Sequence, residues 1–224
     1  MRAARLVSVV GELLITVGVF ILVFVGWELW WTDLSANRDQ SATVRSLSND
    51  FTRHGSDNLS PGDVPEGGAF AILRIPRFGA DYARPVYKGT TRDTLTRGFG
   101  QYDGTALPGA VGNFALAGHR TTYGRPLHDV QKLQDGDRII VETTTQYIVY
   151  TVVSDEIVTP TDVAVVAAVP DQPGATPTKA YLTLTTCHPE YSAQQRYIVH
   201  ALLDTAYPRA GGLPRAVLAV PGEG

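Results

Sequence analysis

An uncharged apolar run near the N-terminus constrains this chain more than any other feature of its sequence. Residues 13–27 contain no charged side chain, and the apolar stretch 6–27 reaches the roughly 20 residues that a helix needs to cross the hydrocarbon core of a membrane. Arg2 and Arg5 precede it, which predicts a cytoplasmic N-terminus. We therefore expect residues 1–31 to form a single-pass anchor in the cell membrane, with the rest of the chain outside the cytoplasm.

Two other kinds of segment could contain such a run. A cleaved signal peptide would have a shorter apolar region, followed by a cleavage site of the small-x-small type, and no persuasive site of that type follows here. A buried core helix is not expected at the extreme terminus with apolar residues on all of its faces. An uncleaved signal anchor is therefore our interpretation.

The remaining composition limits the class of protein. With 224 residues, the chain has room for one ordinary domain and an appendage. Its formal net charge of −3 argues against nucleic acid as a partner. Cys187 is the single cysteine, which excludes an intramolecular disulfide and a zinc site built from several thiolates. A lone thiol outside the cytoplasm needs a chemical reason.

Beyond the apolar run, the composition divides the chain into three segments. Residues 32–68 are polar and rich in Ser, Asn, Asp and Gly, which predicts a flexible extracytoplasmic stalk with some helix near 39–51. Residues 69–205 are predicted to form one domain, and the Gly- and Pro-rich residues 206–224 a flexible tail. The loop 160–178 inside the domain is long enough to be functional or disordered.

The domain is predicted to be mainly β, because short alternating or β-branched runs recur along it. The predicted strands are 69–75, 83–87, 113–117, 138–142, 147–157, 180–186 and 196–203. Two short helices are predicted, one over 92–97 and one that starts at Pro126. Many short strands with few helices are typical of a barrel or a sandwich.

Three residues at strand ends have side chains suited to catalysis. Cys187 ends one predicted strand, where a nucleophile would be exposed, and His119 ends another; Arg196 opens the last strand, nine residues after the cysteine. Taken singly, each has an ordinary explanation, as a buried thiol, a structural histidine or a solvated charge. Together they supply a nucleophile, an acid–base group and a fixed cation that could hold an oxyanion.

The residues around these positions resemble a known family. The run Thr-Leu-Thr-Thr-Cys over 183–187, followed by Arg196, is similar to the T-L-x-T-C…R signature of sortases, the membrane-anchored cysteine transpeptidases of Gram-positive bacteria. The run 117–124, which contains Gly-His-Arg, resembles their histidine loop, and the order His, Cys, Arg is the sortase order. The likeness extends over about 69–204. Within the family, 117–124 and 187–193 look most like class E, the actinobacterial housekeeping type, with class D as the alternative.

The resemblance implies an eight-stranded β-barrel that acts on secreted proteins with a C-terminal sorting signal. Cys187 would attack the Thr carbonyl of a pentapeptide of the L-P-x-T-G kind, or L-A-x-T-G for class E, and form a thioacyl intermediate. An amine from a peptidoglycan precursor or a pilin lysine would then take the acyl group. His119 would protonate the leaving amine and Arg196 would hold the oxyanion. Thr186 would contribute near the same oxyanion through its hydroxyl or its backbone.

Other residues extend this assignment or compete with it. Tyr82 is our candidate for the tyrosine that sets class E specificity, and Tyr123, in the histidine loop, is a further candidate for substrate binding. His128 and His188 are alternatives to His119. His188 ranks below His119 because neighbouring residues of a strand point to opposite faces, and it is adjacent to the cysteine.

We expect no cofactor and no metal. Some sortases bind calcium through acidic loops, but here the loop before the histidine strand contains only Asp103. Asp162 and Asp171, in the long loop before the cysteine strand, are too sparse for a calcium cage of about six or more oxygens. His54 and His200 are expected to be structural.

Two rival functions are weaker. An L,D-transpeptidase also uses a cysteine at the cell wall, but its cysteine normally lies in an S-x-G-C-x-R run, which residues 185–189 lack. A non-catalytic barrel that only binds sorting signals would be favoured if one of the three catalytic candidates were missing, and all three are present.

Overall fold

Eight strands close into a barrel in the computed structural model, which describes residues 2–54 and 61–222. The helices and strands are α1 (Arg2–His54), β1 (Ala69–Arg74), β2 (Ala83–Lys88), α2 (Arg92–Arg97), β3 (Phe99–Gln101), β4 (Gly112–Ala117), β5 (Arg138–Glu142), β6 (Gln146–Val158), β7 (Ala180–His188) and β8 (Gln195–Pro208). Around the barrel the strands follow the order β1-β2-β3-β4-β7-β8-β6-β5. The predicted mainly β fold, an eight-stranded barrel after one N-terminal apolar helix, is confirmed.

Side-chain alternation gives β4 and β7 an inner and an outer face. Phe114 and Leu116 of β4, and Leu182 and Leu184 of β7, are fully buried in the core of the barrel. Because successive side chains of a strand point to opposite faces, the residues between them point outwards. Cys187 lies an odd number of positions from Leu184, so it belongs to the outer face.

The pairing of β4 with β7 is parallel, whereas β7 pairs with β8 in the antiparallel sense. The parallel register runs from Gly112 opposite Ala180 to Ala117 opposite Thr185. Parallel strands end at the same edge of a sheet. The segments that follow β4 and β7 therefore leave the barrel side by side.

The helix α1 is continuous and much longer than a membrane anchor. Its segment Val7–Trp27 is apolar and long enough to cross a membrane, judged by length and composition. Beyond that segment α1 lies against β1, β2 and α2, with Gln40 and Phe51 buried. The helix that the sequence predicts near 39–51 is thus part of α1.

The segment boundaries and the flexibility expected of the stalk and tail stay predictions. Residues 55–60 of the stalk and 223–224 of the tail lie outside the described part of the chain. So do the side chains of Arg2, Arg5 and His54.

Part of the expected tail contacts the barrel. Arg209 pairs with the carboxylate of Glu142, which Arg74 also reaches at 2.9 Å. The Glu142 side chain is only 2% exposed, and a carboxylate at that depth needs such partners. Val217 is buried against β5 and β6.

Two local predictions differ from the structure. The helix expected from Pro126 is wrong, because the segment contains only a 3₁₀ turn, Val130–Lys132. The backbone N–H of Leu127 donates to the carbonyl of His119 at 3.0 Å, so this part of the chain folds back on the preceding loop instead of coiling into a helix. The strand β3 is absent from the sequence prediction because three residues are too few to show alternation.

Candidate active site

The parallel pairing of β4 with β7 brings His119 beside Cys187. Ala117 and Thr185 are the last paired residues of the two strands. His119 and Cys187 each lie two residues after the last paired residue of their strand. Both side chains then lie at the same edge of the barrel and towards its outer face.

Contacts on either side of this position keep the two chain segments together beyond the paired strands. The hydroxyl of Thr186 donates to the carbonyl of Gly118 at 2.7 Å. Two positions further on, Nη1 of Arg120 lies 2.9 Å from ring Nδ1 of His188. His119 and Cys187 lie between these two contacts.

Arg196 reaches the same place from β8. It lies directly opposite Cys187 in the antiparallel pairing of β7 with β8. Its Nη1 donates to the carbonyls of Ala193 at 3.1 Å and Gln195 at 2.9 Å. Among the described residues these are its hydrogen-bond partners, so Nε and Nη2 are left for a ligand. The structure therefore brings the three predicted catalytic residues together.

The imidazole of His119 is partly buried, and its ring lies 5.1 Å from the ring of Tyr123. Its Nε2 is buried and has no hydrogen-bond partner within the described residues. Burial, together with a smaller contribution from the positive charge of Arg92, lowers the pKa of His119. The neutral ring is therefore favoured, and the protonated ring is a stronger acid than an ordinary imidazolium.

The two competing histidines have other partners. His188 contacts the guanidinium of Arg120 through ring Nδ1. The same guanidinium donates to the carbonyl of Cys187 at 3.2 Å. Nδ1 of His128 lies 3.4 Å from the carboxylate of Glu190 but, like Nε2 of His119, has no hydrogen-bond partner among the described residues. The ranking of His119 above both alternatives stays a prediction.

Arg120 is a site residue that the sequence analysis does not single out. It is 6% exposed, and its Nη2 donates to Oε1 of Gln131 at 2.8 Å. Its hydrogen bond to the carbonyl of Cys187 fixes the backbone there from the side opposite the thiol. In the sequence, the role of Arg120 is indicated only by its position directly after His119, which places its side chain on the opposite face of the chain.

Thr186 and Tyr123 both lie at the site but make different contacts there. The hydroxyl of Thr186 is buried and already donates to the carbonyl of Gly118, so it ties β7 to the residue before His119. Tyr123 stands against the ring of that histidine. Their roles towards a substrate stay predictions.

Tyr82 lies under the loop that follows the histidine. Its hydroxyl donates to the carbonyl of Pro126, and its ring packs at 90° on Phe78 with the centroids 5.2 Å apart. Burial raises the pKa of Tyr82 well above its usual range. These contacts make Tyr82 a support of the loop, and its role in specificity stays a prediction.

A groove runs along the outer face of β7 from Arg196. A cavity of about 120 Å³ lies between Arg196, Thr185 and Tyr102 on one side and the loop between β6 and β7 on the other. A second cavity of about 480 Å³ shares Tyr102 and Val166 with it and extends to Asn113. Sequence reasoning missed Thr185 and Tyr102, although alternation places Thr185 on the face of the cysteine.

The long loop between β6 and β7 is also held at His200. The buried ring places Nδ1 2.9 Å from the hydroxyl of Thr183, and Nε2 3.2 Å from Glu156 and 3.5 Å from Asp171. One ligand-type atom from each of His200, Glu156 and Asp171 falls within 4.8 Å of the others, so these residues could hold a metal ion. Both carboxylates are partly exposed, and the expectation of no metal stays a prediction.

Replacing Arg92 with Gln should raise the pKa of His119, because the change removes a positive charge that disfavours the imidazolium. Arg92 is exposed, so the difference from the wild type should shrink as salt is added. NMR titration of the histidine ring protons measures it. The control is Arg215→Gln, an exposed charge next to the segment that packs on β5 and β6. An unchanged titration in Arg92→Gln would contradict this electrostatic account.

Comparisons with known proteins agree with this geometry. A sequence model of the sortase domain matches residues 73–204. Sortase SrtE1 of Streptomyces coelicolor is 40% identical over 217 residues, which cover 93% of this chain and 60% of that protein. Sortase SrtE2 of the same organism is 32% identical over 210 residues, covering 88% of this chain and 81% of the relative. This chain thus spans 60% of the length of the first relative.

Solved structures give the same result. Sortase E from Streptomyces avermitilis is 41% identical and matches with a TM-score of 0.62, over 68% of this chain and 99% of that one. Sortase E1 from Streptomyces coelicolor, solved with a tripeptide in the active site, is 40% identical with a TM-score of 0.62, over 67% of this chain and 97% of that one. The domain match covers more than half of the chain, and the barrel brings together the residues that carry the sequence signature. The chain belongs to the sortase family and is similar to its type E members.

Proposed function

We propose that this chain is a membrane-anchored cysteine transpeptidase that cleaves a C-terminal sorting signal of the L-P-x-T-G kind between Thr and Gly, with L-A-x-T-G as the preferred sequence. The observation that supports the proposal is the strand pairing, which sets Cys187 opposite Arg196 and has His119 follow β4 at the same edge of the barrel. Further support comes from a relative, the sortase E1 of Streptomyces coelicolor, which was solved with a tripeptide in its active site.

The first half of the reaction transfers the acyl group to the enzyme. The thiolate of Cys187 attacks the carbonyl carbon of the Thr in the signal, a C–S bond forms, and the C–N bond to Gly breaks. The imidazolium of His119 gives its proton to the departing amine. Nε and Nη2 of Arg196, which have no partner among the described residues, donate to the oxyanion of the tetrahedral intermediate.

The second half transfers the acyl group to an amine. The acceptor nitrogen attacks the thioacyl carbonyl, the C–N bond forms and the C–S bond breaks. The neutral ring of His119 takes a proton from the attacking amine, and Cys187 leaves as thiolate. The partners are secreted proteins with sorting signals and an acceptor amine, either a peptidoglycan precursor or another amine such as a pilin lysine.

The lowered pKa of His119 affects this cycle in two opposite ways. The reaction needs a charged imidazole to protonate the leaving amine, and burial makes that form scarcer at neutral pH. The same burial makes each imidazolium a stronger proton donor. At neutral pH the site therefore works with a small fraction of a strong acid.

The single experiment that tests the function is incubation of the full chain, in detergent micelles, with a fluorogenic L-A-x-T-G peptide, with and without an amine. We expect cleavage that depends on Cys187 and ligation that depends on the amine. Cys187→Ala should reduce turnover below about a thousandth of the wild type, because the nucleophile is removed. His119→Ala should abolish nearly all turnover, whereas His188→Ala should keep most of it.

Each arm of this experiment can contradict part of the proposal. Cleavage without ligation would make the chain a peptidase. Binding of the peptide without cleavage would make it a sorting-signal-binding barrel. A larger loss of turnover for His188→Ala than for His119→Ala would mean that His188, and not His119, is the acid.

Arg196 tests the role of charge against the role of shape. Arg196→Ala should lose roughly 100- to 1000-fold in turnover, the cost of removing one oxyanion donor. Arg196→Lys should recover only a small part of the loss, because lysine keeps the charge without the planar fork of donors. Labelling of the Cys187 thiol by a methanethiosulfonate reagent should survive both changes. Turnover near the wild-type rate in Arg196→Ala would reduce the arginine to a solvated strand-edge charge.

The apolar span Val7–Trp27 supports a single-pass anchor with the N-terminus in the cytoplasm and the barrel outside. A reporter enzyme that works only outside the cytoplasm should be active when fused after Gly224. A reporter that works only inside the cytoplasm should be inactive at the same position. The reverse pattern would invert the proposed topology.

A further inference from the structure

The membrane-proximal part of α1 lies directly on the loop that follows His119. Nε2 of Gln40 donates to the carbonyl of Tyr123 at 2.8 Å. Oδ1 of Asp33 accepts from the backbone N–H of Gly124 at 3.2 Å, and Oδ2 of the same carboxylate lies 3.1 Å from Nε of Arg125. Two side chains of one helix therefore hold three consecutive residues of the loop.

A third helix residue acts through Arg84 of β2. Nη2 of Arg84 donates to Oδ1 of Asn37 at 3.0 Å and reaches the carbonyl of Gly124 at 3.5 Å. A Cβ atom on Gly124 would lie 3.0 Å from Nε2 of Gln40 and 3.1 Å from Oδ1 of Asn37. The helix and the loop are thus packed so closely that a side chain at this glycine would push against both amides.

The backbone that the helix holds is strained. Tyr123, Gly124 and Arg125 have φ values of 54°, 77° and 47°. Residues other than glycine avoid this left-handed region, and they persist there only where surrounding contacts force them into it. Besides the turn's own hydrogen bond, from the N–H of Arg125 to the carbonyl of Thr122, the contacts that hold it come from α1 and from Arg84.

The strained turn determines what covers the catalytic imidazole. It carries the ring of Tyr123, which stands 5.1 Å from the ring of His119. The other end of the loop is fixed independently, because Leu127 donates its N–H to the carbonyl of His119 and Pro126 accepts from the hydroxyl of Tyr82. Release of the helix would therefore free the middle of the loop and the tyrosine ring, and leave the ends in place.

The burial of Gln40 points to the same role. This residue is only 1% exposed, although it belongs to a polar segment of α1. Its Nε2 is used for the tyrosine carbonyl, while its Oε1 is buried without a partner among the described residues. A buried amide with one unsatisfied atom costs stability, so packing alone does not explain this side chain.

We propose that Asp33, Asn37 and Gln40 are positioning residues of the transpeptidase, which hold the 123–125 turn and, through the ring of Tyr123, set His119 for proton transfer. This inference rests on the proposed role of His119 as the acid. The membrane-linked helix is then part of the catalytic unit, and the contacts that it makes outside the membrane determine the rate of the chemical step.

The test uses the full chain in detergent micelles and compares two triple variants of the same helix. The first, Asp33→Ala with Asn37→Ala and Gln40→Ala, removes the contacts to the loop. The second, Arg38→Ala with Asp39→Ala and Ser46→Ala, changes exposed side chains on the same helix and serves as the matched control.

We expect the first variant to lose roughly 10- to 100-fold in kcat, as displacement of a catalytic group by a fraction of an ångström does. Its KM for the peptide should stay within about twofold, because the groove at Arg196 is untouched. Labelling of Cys187 should be unchanged. The pKa of His119, measured by NMR titration, should rise towards its ordinary value as the tyrosine ring uncovers the imidazole. The control should match the wild type in all four measurements.

Gln40→Glu keeps the shape of the side chain but removes the donor to Tyr123. This variant tests the positioning role even if the triple variant does not fold. It should show the same loss of kcat at unchanged KM. Combining it with Tyr123→Ala should lose no more than Tyr123→Ala alone, because both changes act on one ring.

The failure of this proposal differs from failure of the proposed function. If the wild type does not turn over the peptide, the function is wrong. If the wild type turns it over and the first triple variant and Gln40→Glu both keep the kcat of the control, the positioning role is wrong and the function stands. Additive losses with Tyr123→Ala, or a loss that appears only in KM, would also overturn the positioning role.

Discussion

The active site depends on one constraint, the parallel pairing of β4 with β7. A parallel pair ends at a single edge, so residues that follow the two strands meet without any further loop to guide them. The register Ala117 to Thr185 then determines which residues meet. A shift of one residue would send the histidine or the cysteine to the other face of the sheet. The two inner contacts at Gly118 and Arg120 hold this register beyond the last paired residues.

Charge is arranged on both faces of this edge. On the inner face, Arg120 is buried, and its hydrogen bonds reach His188, the carbonyl of Cys187 and Gln131. Both terminal nitrogens of this guanidinium are bound, whereas its Nε is buried without a hydrogen-bond partner among the described residues. Its contacts fix the backbone at Cys187 from the inner face. On the outer face, the hydrogen bonds of Arg196 to the described residues all come from Nη1, which donates to the carbonyls of Ala193 and Gln195. Arg196 thus keeps a terminal nitrogen available for an oxyanion, whereas both terminal nitrogens of Arg120 are already bound.

Much of this arrangement could be predicted from the sequence, because it depends on local patterns. Seven strands show alternation or β-branched runs, and Cys187 and Arg196 lie in a short signature whose spacing suits two antiparallel strands. The strand β3 was too short to show a pattern, and the helix expected from Pro126 failed because the backbone N–H of Leu127 donates to the carbonyl of His119, eight positions earlier. The contacts of Gln40 with Tyr123 join residues 83 positions apart, and no local pattern reports such a pairing.

The continuity of α1 links the apolar span Val7–Trp27 to the site. An α-helix rises about 1.5 Å per residue, so Gln40 lies about 20 Å along the axis from Trp27, the last residue of the apolar span. A flexible stalk would let the barrel take any height and orientation above the membrane, whereas a continuous helix docked on β1, β2 and the histidine loop restricts both. Because residues of the same helix touch the loop of the proposed acid, one continuous helix joins the apolar span to that loop. Under the proposed topology, a sorting signal would then meet a groove whose distance from the bilayer is set by this helix.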